Sequence, residues 1–175
     1  MNPVVVGKLT FAFAATAVAE QYEADGKPVA GWPLGTPVVD LVASQTAEHS
    51  AQSWFVEVKD FRVIDHPPAD ANLQGLPTTI ERKLRSTLRG LRAVSSSPAH
   101  PLASHAATAV ASATKRVVLH AEPHPRRGPH SRLFPLHFPI SLHSKLRRLL
   151  ADIDPNPLIL TIATTPTANV PWTVT

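Results

Sequence analysis

The sequence predicts a single α/β domain in which a central mixed sheet, containing an antiparallel meander, is flanked by helices. Three observations support this class. Of the 175 residues, 43% are hydrophobic, which is enough for one full-sized core. The 18 prolines are clustered and leave long proline-free windows, in which helices and strands can run. Windows with helical spacing alternate with β-branched windows, as in layered α/β folds.

The first windows predict one helix followed by a pair of strands. Residues 9–24 lack proline and glycine, are rich in alanine and end at Asp25-Gly26, so we expect a helix there. Residues 38–43 and 54–64 are rich in β-branched and aromatic residues, which predicts two strands. Their connection is too short for a crossover, so the strands should be antiparallel. A weaker strand is expected at 28–32.

The second half predicts further helices and strands in alternation. An amphipathic helix of about four turns is expected at 80–92 and a basic amphipathic helix at 141–153. Short apolar runs predict strands at 115–120 and 158–163. The alanine-rich stretch 102–113 is compatible with either a helix or a linker.

These elements form one domain over 1–175. We expect a core at about 8–122, a proline-rich loop at 123–139, and a C-terminal helix and strand within 140–165. The apolar stretch after Lys8 has the order of a secretory signal, but we interpret it as part of the first helix. The expected location is therefore cytoplasmic, without membrane association.

Composition and motifs exclude several kinds of catalytic and metal site. Cysteine is absent, which excludes disulfide scaffolds, thiolate metal sites and cysteine nucleophiles. Nine histidines are present, but none forms the His-Glu-x-x-His motif of a zinc-protease helix. No phosphate-binding glycine loop and no Gly-x-Ser-x-Gly nucleophile motif occurs.

Charge is divided unequally along the chain. Residues 1–75 carry nine acidic and four basic groups, whereas residues 76–175 carry four acidic and thirteen basic groups. The two parts therefore differ in net charge, −5 against +9. A basic surface of this kind suits the phosphate backbone of DNA or RNA. The candidate nucleic-acid contacts are Lys83, Arg85, Arg89, Arg126 and Arg127.

Charged residues also interrupt the strands that should be buried. In the predicted strand 54–64, side chains alternate, so Glu57 and Lys59 share a face with Phe55 and Phe61. Asp40 interrupts the apolar run of the predicted strand 38–43, and buried carboxylates are normally paired or bound to metal.

Two such carboxylates are suitable ligands for Mg²⁺ or Mn²⁺. A metal there would neutralise a scissile phosphate and lower the pKa of an attacking water. Lys59 would orient that water or stabilise the transition state. Glu20 is the preferred third acidic group, either as a ligand or as a group that positions the base, and Glu23 is the reserve.

The order Pro37-Val38-Val39-Asp40, followed after sixteen residues by Glu57-Val58-Lys59, resembles the signature of the PD-(D/E)XK nuclease superfamily. The resemblance implies a restriction-endonuclease-like αβββαβ core over roughly 8–120 and metal-dependent hydrolysis of phosphodiester bonds. It also implies a glutamate from the first helix, which would be Glu20. Lys83, on the helix after the lysine strand, or Gln74, in the loop before that helix, is a candidate for a further polar group at such a site.

Two other functions fit the same residues. One is a catalytically inactive, nuclease-like module that binds nucleic acid or acts in assembly, as a homo-oligomer or with a partner protein. The other is a structural protein in which Glu57 and Lys59 form an ion pair on the sheet.

Overall fold

The computed structural model describes residues 3–24, 27–30, 32, 36–47, 50–63, 70–123 and 133–175. Within them a mixed five-stranded sheet has helices on one face and a three-stranded sheet on the other. The predicted α/β class with a mixed sheet flanked by helices is therefore confirmed.

Five strands form the central sheet. They are β3 (Ala17–Gln21), β6 (Leu41–Ala47), β7 (Ser50–Asp60), β8 (Thr114–Glu122) and β9 (Leu158–Leu160). Strands β3, β6 and β7 are consecutive neighbours and antiparallel, β8 is parallel to β7, and β9 is parallel to β8. The predicted antiparallel pairing of the two early strands is confirmed. Helices connect β7 to β8, as a parallel pair requires.

Both ends of the chain contribute to the three-stranded sheet. Its strands are β1 (Val4–Val6), β2 (Leu9–Phe13) and β10 (Trp172–Val174), with β2 in the middle. A short pair, β4 (Glu23–Ala24) with β5 (Lys27–Pro28), follows β3.

The helices are α1 (Asp70–Ser95), α2 (Ala103–Ala111) and α3 (Leu133–Leu149). Helix α1 buries Ile80, Leu84 and Leu91 in a core shared with Phe55 and Leu119 of the central sheet. Short 3-10 turns lie at Phe61–Val63 and Thr165–Thr167. None of the helices in the described part of the chain is long and apolar enough to cross a membrane.

The helix predicted at 9–24 is wrong, because this segment forms β2, β3 and β4. Leu9, Phe11 and Phe13 are buried, whereas Thr10 and Ala12 between them are less so, which is the alternation of a strand. The helix propensity of the alanines is weak compared with the burial of three large side chains between two sheets.

Several predicted boundaries also need correction. The proline-rich segment 123–139 is helical from residue 133, and its residues 124–132 lie outside the described part of the chain. Helix α1 begins ten residues before residue 80 and contains Pro77. Proline removes one helical hydrogen bond there, but Leu76 and Ile80 on either side are buried. The stretch 102–113 contains a helix rather than a linker.

Several strands and one helix begin or end at residues other than those predicted. Strand β7 ends at Asp60, where the chain enters the 3-10 turn, instead of continuing to residue 64. Strand β6 begins at Leu41, so the predicted strand at 38–43 starts with an irregular segment. The predicted strand at 28–32 is reduced to Lys27–Pro28, the strand at 158–163 ends at Leu160, and the helix at 141–153 ends at Leu149.

Candidate active site

Asp40 and Glu57 meet where β6 begins and β7 approaches its end. Leu41 lies opposite Val56, so Asp40 is next to Glu57 and Val58 across the meander. The backbone N–H of Val58 donates a hydrogen bond of 2.6 Å to Oδ2 of Asp40. Glu57 lies on the helix-covered face opposite Leu119, and its side chain is completely buried. The register of two strands therefore brings together acids that are separated by sixteen residues.

The backbone around Asp40 is held from two directions. Its carbonyl oxygen accepts hydrogen bonds from the N–H groups of Tyr22, at 2.8 Å, and Glu23, at 3.2 Å. The preceding residue, Val39, donates its N–H to Oγ1 of Thr87 on α1 at 3.0 Å. The Thr87 hydroxyl in turn donates to the carbonyl of Lys83 at 2.8 Å. Asp40 is thus positioned by both the N-terminal strands and the long helix.

Two lysines bind the same carboxylate oxygen of Glu57. Nζ of Lys59 is 2.6 Å from Oε1 of Glu57, and Nζ of Lys83 is 3.0 Å from the same oxygen. Lys83 also forms an ion pair of 3.0 Å with Glu23. Asp40, Glu57, Glu23, Lys59 and Lys83 form what we call the acid–lysine cluster, which has a net charge of −1 when all five groups are ionised.

Burial and neighbouring charges together set the pKa values of Asp40 and Lys83. Burial and, after it, the negative charge of Glu57 raise the pKa of Asp40 to about 7, against the opposing effects of Lys83, the Val58 N–H and Lys59. Burial alone would lower the pKa of Lys83, but the charges of Glu57 and Asp40 and the hydrogen bonds to Glu23 and Glu57 raise it above its ordinary value. Added positive charge would therefore stabilise the ionised form of Asp40.

The donor set fits a divalent cation at two carboxylates. Oε2 of Glu57 is buried and has no hydrogen-bond partner among the described residues. Both lysines contact Oε1, so neither of these contacts occupies Oε2. No group of three or more His, Asp or Glu side chains is arranged to hold a metal within the described residues. A cation here would thus depend on two protein ligands, with substrate and water as the others.

The two N-terminal glutamates have different surroundings. Glu20 lies on β3 opposite Val42, not on a helix, and its charge contributes to the raised pKa of Tyr22. No hydrogen bond or ion pair among the described residues joins Glu20 to the acid–lysine cluster. Glu23, the reserve candidate, contacts the cluster through Lys83. The structure therefore brings Glu23, rather than Glu20, to Asp40 and Glu57.

The sequence predicted Lys83 as a candidate group at the site, but it did not predict its contacts with Glu23 and Glu57 or the role of Thr87. Lys83 was expected on a basic surface or at the site, and it is 9% exposed inside the cluster. The available signal was spacing, since Ile80, Lys83, Leu84, Thr87 and Leu91 share the buried face of α1. A lysine and a threonine in an apolar stripe indicate buried polar partners.

The other predicted nucleic-acid contacts lie away from this cluster. Arg85 forms ion pairs with Glu81, at 2.9 Å, and Asp152, at 3.0 Å. Arg89 is exposed on the same helix. Arg126 and Arg127 lie outside the described residues.

Comparison with known proteins gives no assignment. The chain matches no protein-family model, no curated protein and no solved structure.

Proposed function

We propose that this protein is a metal-dependent nuclease of the PD-(D/E)XK type, which hydrolyses phosphodiester bonds in DNA or RNA. The observation that carries the proposal is the acid–lysine cluster. Asp40, just before β6, and Glu57 and Lys59, on the adjacent strand β7, share one buried site, with Lys59 31% exposed at its edge. An internal ion pair alone does not account for the buried, unpartnered oxygen of Glu57.

The topology also supports a restriction-endonuclease-like core. The antiparallel meander β3–β6–β7, the helices after it and the parallel strand β8 follow the βββαβ part of that core. In place of its first helix, the described residues before β3 contain strands β1 and β2. This departure removes the helix that would have supplied Glu20, and it makes Glu23 the better auxiliary acid.

The residues have distinct tasks in the proposed reaction. Asp40 and Oε2 of Glu57 would hold Mg²⁺ or Mn²⁺, which supplies charge neutralisation at the phosphate and a lower pKa for the attacking water. Lys83 keeps Oε1 of Glu57 occupied and so orients the other oxygen. Lys59 has further N–H bonds with which to orient water or a phosphate oxygen.

The test is cleavage of end-labelled single- and double-stranded DNA and RNA with Mg²⁺, with Mn²⁺ and with EDTA. Glu57→Gln and Lys59→Ala should each reduce the rate by about a hundredfold or more. Lys145→Ala is a matched control, because Lys145 is exposed on α3 and contacts none of these residues. Cleavage that persists in EDTA, or equal rates in all three variants, would refute the proposal.

One observation favours the non-catalytic alternative, in which the module binds nucleic acid or acts in assembly. Two lysines balance most of the negative charge of the cluster, so it can be stable without a cation. Thermal unfolding with and without Mn²⁺ separates the two functions. A catalytic site should raise the melting temperature with Mn²⁺ in wild type but not in Glu57→Gln, whereas a purely structural cluster should show no response.

A further inference from the structure

A groove lies between α1, the start of β8 and the segment after α3, and its volume is about 540 Å³. Four cationic side chains line it, together with one carboxylate, which leaves a net charge of +3. The lining charged residues are Arg85, Arg89, Arg92, Lys115 and Asp152. Pockets of this size hold small organic ligands, and this one is open and positively charged.

The charges in the groove are not equivalent. Arg85 donates to both carboxylate oxygens of Asp152, each at 3.0 Å, and to Glu81, so its charge and that of Asp152 compensate each other. Lys115 donates to two backbone carbonyls at the end of α2, those of Val110 and Ser112. Arg85 and Lys115 are therefore fixed parts of the wall.

Arg89 and Arg92 are the available groups. Both are exposed, they are three residues apart on α1, and neither guanidinium group has a hydrogen bond or ion pair among the described residues. Residues three apart lie on the same side of a helix, so both guanidinium groups can reach one anion or two neighbouring ones. Leu88 and Ile153 add apolar surface to the groove. Guanidinium groups beside apolar surface suit a phosphate joined to a sugar and a base.

We propose that this groove binds the phosphate backbone of a single nucleic-acid strand outside the acid–lysine cluster. The choice of nucleic acid as ligand rests on the proposed nuclease function. Arg89 and Arg92 follow Lys83 by six and nine residues on the same helix, which corresponds to about 9 and 14 Å along its axis. These positions are rotated by about 240° and 180° around the helix from Lys83, so the groove lies on another side of α1 from the cluster and holds a strand without contributing to the chemistry.

The experiment measures binding in the absence of cleavage. The background is the full chain with Glu57→Gln, in EDTA, and the probe is a fluorescein-labelled single-stranded oligonucleotide of about 20 nucleotides. The test variant adds Arg89→Gln and Arg92→Gln. The control adds Arg82→Gln and Lys145→Gln, which remove the same charge from exposed positions outside the groove. Circular dichroism verifies that both variants are folded.

Fluorescence anisotropy should show binding weakened about tenfold or more in the test variant and less than about twofold in the control. The slope of log K against log salt should decrease by about 0.7 for each phosphate that the variant no longer neutralises, or about 1.4 for two phosphates. Equally weakened binding in both variants would mean that surface charge attracts the strand without a defined site, and it would overturn the proposal of a binding groove. A mononucleotide that binds as tightly as the oligonucleotide would also overturn it, because the site would then be a small-molecule pocket.

The two proposals can fail separately. If binding depends on the groove but the wild type hydrolyses no substrate, the proposed nuclease activity is refuted and the proposed groove binding stands. Hydrolysis by wild type with unchanged binding in the test variant would reject the groove and retain the nuclease.

Discussion

Replacing Asp40 with asparagine should stabilise the metal-free protein at neutral and alkaline pH while abolishing nuclease activity. Asparagine has nearly the same shape, and its carbonyl oxygen can still accept the Val58 N–H bond. What it removes is a buried negative charge next to Glu57. The site would therefore retain Asp40 for its function at a cost in stability.

The magnitude follows from the pKa of Asp40. The carboxyl ionises at about pH 7 in the folded chain, against 3.8 as its ordinary value. At about 1.4 kcal/mol per pKa unit, this difference corresponds to roughly 4 kcal/mol. Because the folded pKa is raised, the folded state binds more protons than the unfolded state between about pH 4 and pH 7. Wild-type stability should thus decrease as pH rises through that window and then stay level.

The assay is urea or thermal unfolding in EDTA at several pH values between 5 and 8. Asp40→Asn should exceed wild type by up to about 4 kcal/mol at pH 8, which is roughly 8–16 °C in melting temperature for a chain of this size. The difference should shrink towards pH 4. Saturating Mg²⁺ should also reduce it, because a bound cation stabilises the ionised carboxylate of wild type.

Asp60→Asn, at the end of the neighbouring strand β7, is a control for which the opposite sign is expected. The hydrogen bond from Arg62 lowers the pKa of Asp60, so ionised Asp60 stabilises the folded state at neutral pH, and this stabilisation is lost as pH falls. Asp60→Asn should therefore destabilise the protein at pH 7. If Asp40→Asn instead destabilises at pH 8, or both variants follow the pH profile of wild type, the electrostatic reasoning is wrong.

Three further substitutions test the surroundings of the cluster. Lys83→Met should destabilise the fold by roughly 3 kcal/mol, because it leaves buried Glu57 with one cation. It should also raise the pKa of Asp40, which would move the acidic limb of the pH–rate profile to higher pH. An acidic limb at the wild-type pH would contradict this role of Lys83. Thr87→Val removes the acceptor of the Val39 N–H, so it should lower kcat more than it changes KM. It should also lower the free energy of unfolding in urea by about 1–3 kcal/mol. An unchanged kcat would rule out a positioning role for Thr87. Gly90→Ala should lower the melting temperature, because a Cβ there would overlap the buried Trp32 indole at a cost of about 1–3 kcal/mol. Alanine also gains at most about 1 kcal/mol in helix propensity. A raised melting temperature would show that the Trp32 ring moves aside and would contradict the prediction.

Much of the site was visible in the sequence because strands have a short period. Alternation along 54–64 places Glu57 and Lys59 on one face, and both side chains are on that face in the fold. The apolar context of Asp40 indicated a buried carboxylate, and Asp40 is buried. These inferences needed only the residues within each strand and the antiparallel pairing of two neighbours.

The N-terminal segment shows where such inference stops. Alanine-rich residues 9–24 have the composition of a helix, and their large residues also alternate as in a strand. Local propensities are worth less than about 1 kcal/mol per residue, so the partner surfaces decide between the two. Here β10, from the far end of the chain, pairs with β2, and β6 pairs with β3. No local pattern contains that information.

The sequence by itself determined the class of the fold, the buried strand with Glu57 and Lys59, and the buried acid Asp40. The tertiary structure decided which other charges join them. Glu23 rather than Glu20 enters the cluster because it follows β3, where its N–H contacts the carbonyl of Asp40, and Lys83 points inward because α1 packs its apolar stripe on the sheet. These contacts span 60 and 26 residues, and long-range packing creates the low-dielectric surroundings that raise the pKa of Asp40.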